Sequence, residues 1–109
     1  MAGSAATVAT PRASRYLQQL CKHWSHRFSV TFDHTRGEID FGNLQSVELS
    51  ATEASLVVTA RDSDEAGLAE LEQVVADHLA RFAFRETLEF RWVPVTEAGA
   101  GAPQDQATS

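Results

Sequence analysis

The 109-residue chain has a single cysteine, Cys21, so no internal disulfide can staple it and a small cross-linked secreted scaffold is excluded. It has no apolar run near the roughly 20 residues that a membrane-spanning helix needs. Its first residues, MAGSAATV, carry neither the basic segment nor the apolar stretch of a secretory leader. A cytoplasmic domain outside any membrane is the expectation. Basic charge is also in short supply, with nine Lys and Arg against fifteen Asp and Glu and a net charge of −6. That balance cannot supply a broad phosphate-neutralising surface, which argues against nucleic acid as a partner. Nor is there a Ser, Cys or paired-carboxylate arrangement with the spacing of a catalytic centre, so no catalytic residue is assigned.

The composition that is present, 43% hydrophobic and 22% charged, is that of one globular domain with an ordinary core. Residues 1–9 and 96–109 are small, polar or Gly/Ala-rich without period, and read as disordered tails around a domain of residues 10–95. Thr10-Pro11 opens a predicted helix to about His26, because Thr can cap free amides and Pro at the first position loses no hydrogen bond. Ala13, Tyr16, Leu17, Leu20, Cys21 and Trp24 fall on its apolar arc. The period then becomes two, with Phe28/Val30/Phe32, Ile39/Phe41, Val47/Leu49 and Leu56/Val58 marking four short strands separated by turns. Asp62 with Glu65 starts a second helix to about Phe82, with Leu68, Leu71, Val75, Leu79 and Phe82 as its buried stripe. Leu88, Phe90 and Trp92 alternate in a last strand, Glu86 to Val93, which Pro94 ends. The predicted fold is two-layer α+β in the order α-β-β-β-β-α-β, with both helices on one face of an antiparallel sheet and the final strand beside the first.

Charge is concentrated near the start. Residues 12–36 carry Arg12, Arg15, Lys22, Arg27 and Arg36 against Asp33, a net of +4 that leaves −10 elsewhere. On the predicted helix Arg12, Arg15, Gln19, Lys22 and His26 follow the +3, +4 spacing of one polar stripe, and His23 lies beside it. Such a stripe is commonly no more than a solvated face. Cys21 points about 200° away from His23 and reads as a small core residue. A second dense segment lies where the second helix ends, and there Asp77 and Arg81 are spaced as an i, i+4 ion pair. Arg85 has no such local partner, and His78 sits at the border of the apolar stripe.

These segments, LCKHWSHRF at 20–28 and HLARFAFRE at 78–86, resemble the two signatures of a small bacterial family catalogued as domain-of-unknown-function family 2218, over about Pro11 to Val93. Members of that family stand beside, or are joined to, flavin-dependent siderophore-interacting reductases. The resemblance therefore implies a link with siderophore or iron handling, and implies no catalytic residue or cofactor.

The leading functional expectation is a non-catalytic binding or accessory module. Lys22, His23, His26, His78, Arg81 and Arg85 would form one basic patch for an anionic partner, which could be a siderophore or a siderophore-interacting reductase. The alternative is a metal-binding or metal-dependent enzyme site using His23, His26 and His78 as nitrogen ligands. Both require the two helices to bring their signatures together.

Overall fold

A computed structural model describes residues 2–95 of the chain. It opens with strand β1 (Ala2–Ala9), followed by helix α1 (Ala13–Trp24) and strands β2 (Ser29–Phe32), β3 (Arg36–Gly42), β4 (Gln45–Ala51) and β5 (Ser55–Asp62). Helix α2 (Glu65–Phe82) and a two-residue strand, β6 (Val93–Pro94), complete it. The sheet runs β2-β3-β4-β5-β1-β6 with every neighbouring pair antiparallel. The architecture is α+β, and both helices cover one face of the sheet.

The predicted N-terminal tail is a strand inside the sheet. All eight residues of β1 ladder to β5, from Ala2 opposite Asp62 to Ala9 opposite Ser55, and Ser4, Ala6 and Val8 are buried. Alternation is present, but in side chains too small to register as an amphipathic signal. Small residues suit the position because α2 packs directly across β1 and β5, and Ser4 Oγ donates to the Glu72 carboxylate of that helix.

β1 also relocates the final strand. The sequence-based order placed that strand beside the first predicted one, now β2, whereas α2 crosses over β1 and β6 pairs on its far side. Between Glu86 and Trp92 the chain keeps the predicted alternation, with Leu88, Phe90 and Trp92 partly buried against the core, but forms no ladder. An inward-facing apolar rhythm reports packing, and only a backbone partner makes a strand. The predicted C-terminal tail, 96–109, lies outside the described residues.

Helix α1 starts two residues later and ends two residues earlier than expected. Thr10 Oγ1 accepts from the Arg12 amide at 3.1 Å, and the chain leaves the helix through Ser25, Arg27 and Phe28 amides bonded to Cys21 and Trp24 carbonyls. Its six predicted apolar residues are all buried. In α2 the cap is Asp64, whose carboxylate accepts from Gly67 N–H at 2.7 Å. Asp62 instead closes β5, taking the Ser63 amide at 2.6 Å and Gln45 Nε2 at 2.7 Å. Leu68, Leu71, Val75 and Leu79 are buried as predicted, but Phe82, expected to complete the stripe, is only half-buried at the rim, where the helix ends.

Candidate functional site: a cationic cleft and a histidine pair

The loop after α2 folds back along the polar side of α1. Glu86 holds it there, its Oε2 accepting from Tyr16 OH at 2.6 Å, Thr10 Oγ1 at 2.9 Å and Arg12 Nη1 at 3.2 Å. The Tyr16 hydrogen bond, and after it those of Thr10 and Arg12, hold the Glu86 carboxyl below the usual carboxylate range. Burial pushes the Tyr16 phenol up, and the neighbouring Glu86 anion pushes it the same way.

Above this anchor lies a cleft of about 790 Å³, lined by Arg12, Arg15, Tyr16, Gln18, Gln19, Lys22, Phe82, Phe84 and Arg85. Arg12 is neutralised by Glu86. Arg15, Lys22 and Arg85 have no carboxylate partner among the described residues. The cleft thus has an excess of three positive charges in a chain of net charge −6. Concave walls of low polarisability concentrate such a field on whatever enters.

Beside the cleft, the C-terminal end of α1 meets α2. The His23 and His78 rings lie 5.2 Å apart between centroids, and Trp24 is 5.0 Å from His78. His78 Nδ1 is 2.8 Å from the Val74 carbonyl, which can only accept, so Nδ1 is the donor in that contact. Phe82 belongs to both groups, lining the cleft and meeting His23 edge-on at 6.2 Å.

Of the six residues expected to share one patch, four are brought close. Lys22 and Arg85 line the cleft, and His23 and His78 lie tilted against each other next to it. His26 falls past the end of α1, exposed, and makes no ring contact with the pair. Arg81 points to solvent, and its predicted partner Asp77 accepts from Gln73 Nε2 at 2.8 Å instead, so the expected ion pair is absent among the described residues. The three-histidine metal set does not assemble, and among the described residues no group of three or more His, Cys, Asp or Glu side chains could hold a metal ion. Helix length is the reason: α1 ends at Trp24, so His26 leaves the polar stripe that a longer helix would have kept it on. Cys21 is fully buried, and burial alone pushes its thiol to about 11, far from a nucleophile's range.

Arg12 and Arg15 stood on the cationic stripe of the sequence without a reason to single them out. Glu86 and Phe84 had no signal of their own, since Glu86 acts through partners about seventy residues away and Phe84 looks like one more apolar residue of a helix end. No helix among the described residues is long and apolar enough to cross a membrane.

Comparison with known proteins agrees with the two signatures. Residues 5–93 match a family described as "Uncharacterized protein conserved in bacteria (DUF2218)". The "NMR structure of PA4090 from Pseudomonas aeruginosa" is similar, with 43% sequence identity and a TM-score of 0.74 over 85% of this chain and 96% of that one. No curated protein matches the chain.

Proposed function

The chain belongs to the bacterial family of uncharacterised proteins DUF2218, and we propose that it is a non-catalytic binding module whose cleft between α1 and the loop after α2 receives an anionic partner. The observation that carries this reading is the convergence of Arg15, Lys22 and Arg85, from elements distant in sequence, on one cleft where no carboxylate among the described residues pairs with them. Like charges gathered at that density repel one another, and an anion entering between them relieves the repulsion. Arginine supplies forked donors that suit carboxylate or phosphate, and Lys22 adds a compact charge.

Binding fits better than chemistry. The Glu86 carboxylate, which does not line the cleft, is already committed to three donors on one oxygen, and the cysteine thiol is buried in the core. His23 and His78 stand beside the cleft, where their ring nitrogens add polar groups next to the three cations. A ferric siderophore of net negative charge is the partner that the resemblance to siderophore-associated proteins suggests, and an acidic surface of a siderophore-interacting reductase is the other.

The test is calorimetric titration with pyrophosphate, citrate and a ferric tris-catecholate complex at low and at physiological salt. At least one should bind, more weakly as salt rises. Loss of one charged donor in Arg15→Ala or Arg85→Ala should weaken binding about 10- to 100-fold, the range for a charge-assisted hydrogen bond. No binding by any of the three, or an affinity indifferent to both substitutions, refutes the reading.

A further inference from the structure

We propose that the anion accepted by this cleft is flat and aromatic, a ring bearing carboxylate or phosphate groups that stacks on Phe84 while Arg15 and Arg85 hold its charge. The inference rests on the anion-binding reading above and adds the chemical class of the ligand.

Phe84 carries it. The ring is 80% exposed, and the other exposed large hydrophobics among the described residues are Leu44 at 65%, Val93 at 60%, Val74 at 42% and Phe32 at 37%. Leu44 sits in the β3–β4 turn and Val93 in an edge strand, and of the five only Phe84 lines the cationic cleft. A ring this exposed, with Arg85 over one face and the rest open, beside three cations that have no carboxylate partner among the described residues, is an unfavourable arrangement in both respects, and one ligand with a π face and negative charge relieves both.

The backbone that carries the ring is held on both sides. On one side of it Ala83 is buried at 3% exposure, with its amide on the Leu79 carbonyl at 3.0 Å. On the other side Glu86 is fixed by Tyr16, Thr10 and Arg12, and its amide reaches the Ala83 carbonyl at 3.3 Å. Phe84 and Arg85 are the two residues between those anchors. A platform whose backbone is already fixed on both flanks loses less backbone freedom when a ligand stacks on it, which favours binding.

Arg85 itself indicates what the platform attracts. Its guanidinium lies over the Phe84 ring, 5.4 Å from the centroid, so the electron-rich face is already used to attract a planar cation. A ligand ring extends that stack while its acidic group meets the guanidinium edge. The cleft, about 790 Å³, is of the size that encloses small organic molecules. An inorganic anion would leave Phe84 bare, and a neutral aromatic would leave Arg15, Lys22 and Arg85 bare.

Two matched pairs of probes test the idea by calorimetry at low salt. Benzene-1,3,5-tricarboxylate is compared with propane-1,2,3-tricarboxylate, and adenosine 5′-monophosphate with ribose 5-phosphate. The aromatic member of at least one pair should bind about tenfold tighter, as base–aromatic stacking gives elsewhere, and the pair showing the larger ratio tells carboxylate from phosphate recognition. Phe84→Ala, at so exposed a position, should keep the wild-type melting curve while the ratio of aromatic to aliphatic affinity falls to about one. Equal affinities within both pairs in the wild type overturn the aromatic inference and leave anion binding standing. A ratio that persists in Phe84→Ala overturns the assignment to that ring. If no member of either pair binds, and pyrophosphate and citrate also fail, the anion-binding reading falls and this one with it.

Discussion

Val8 tests whether the first nine residues belong to the fold. It is fully buried in β1 opposite Leu56, while its neighbour Thr7, opposite Val57, faces the uncovered side of the sheet and is exposed. Val8→Ala deletes two methyl groups, about 1.6 kcal/mol at roughly 0.8 kcal/mol per buried carbon. The space left under α2 adds a cavity cost, for a total of about 2–3 kcal/mol. For a domain of this size each kcal/mol moves the melting temperature by about 4–8 °C, so Val8→Ala should melt roughly 10–20 °C below the wild type. Thr7→Ala changes an outward side chain and should stay within about 0.5 kcal/mol. Removing residues 1–9 strips the whole ladder from β5 and bares its edge in the middle of the sheet, so the cooperative transition should disappear. Thermal denaturation followed by circular dichroism reads all three variants. Equal melting temperatures for Val8→Ala and Thr7→Ala, together with a truncated protein that melts like the full chain, would refute the placement of β1 and return residues 1–9 to a tail.

Trp24→Ala removes a buried aromatic that packs edge-on against Phe41 at 5.0 Å, and urea denaturation should show a loss of about 3–5 kcal/mol. Phe82→Ala, at the half-buried rim, should cost clearly less, and equal losses would contradict that difference in burial. In β3 a methyl added to Gly37 would lie 2.7 Å from Cys21 Sγ, so Gly37→Ala should destabilise by about 1–3 kcal/mol. Adding Cys21→Ala should restore part of it, and strict additivity of the two changes would show that these atoms do not meet. Because the Glu86 carboxyl titrates below its unfolded value, its contribution is complete at neutral pH and is lost as pH falls through the depressed folded value. Glu86→Gln should therefore melt below the wild type at pH 7, with the gap closing under acid conditions; a gap independent of pH would mean that the Tyr16 and Arg12 contacts do not favour the charged form.

Wherever a side chain's destination follows from the periodicity of its own segment, the residues alone were sufficient. The buried face of α1 from Ala13 to Trp24, the α2 stripe from Leu68 to Leu79 and the inward faces of β3, β4 and β5 are of this kind, because a repeat of 3.6 or 2 residues states which face must leave water, whereas in β2, at the sheet edge, Val30 is only half-buried and Phe32 is exposed. The two signatures likewise sufficed for family membership. β1 carries no comparable repeat of large apolar groups: alanine, glycine and serine are neither strongly sheet-forming nor strongly apolar, and this segment becomes a strand because β5 offers a ladder and α2 a close ceiling. The position of β6 follows from that strand and could not be read without it. In the same way Arg15 and Lys22 meet Arg85 because Glu86 ties a distant loop to Thr10, Arg12 and Tyr16, while His26 parts from His23 because α1 stops at Trp24. Local pattern determines which side of an element is wet. Which wet sides face each other is decided by contacts between residues far apart in the chain, and no local pattern records those.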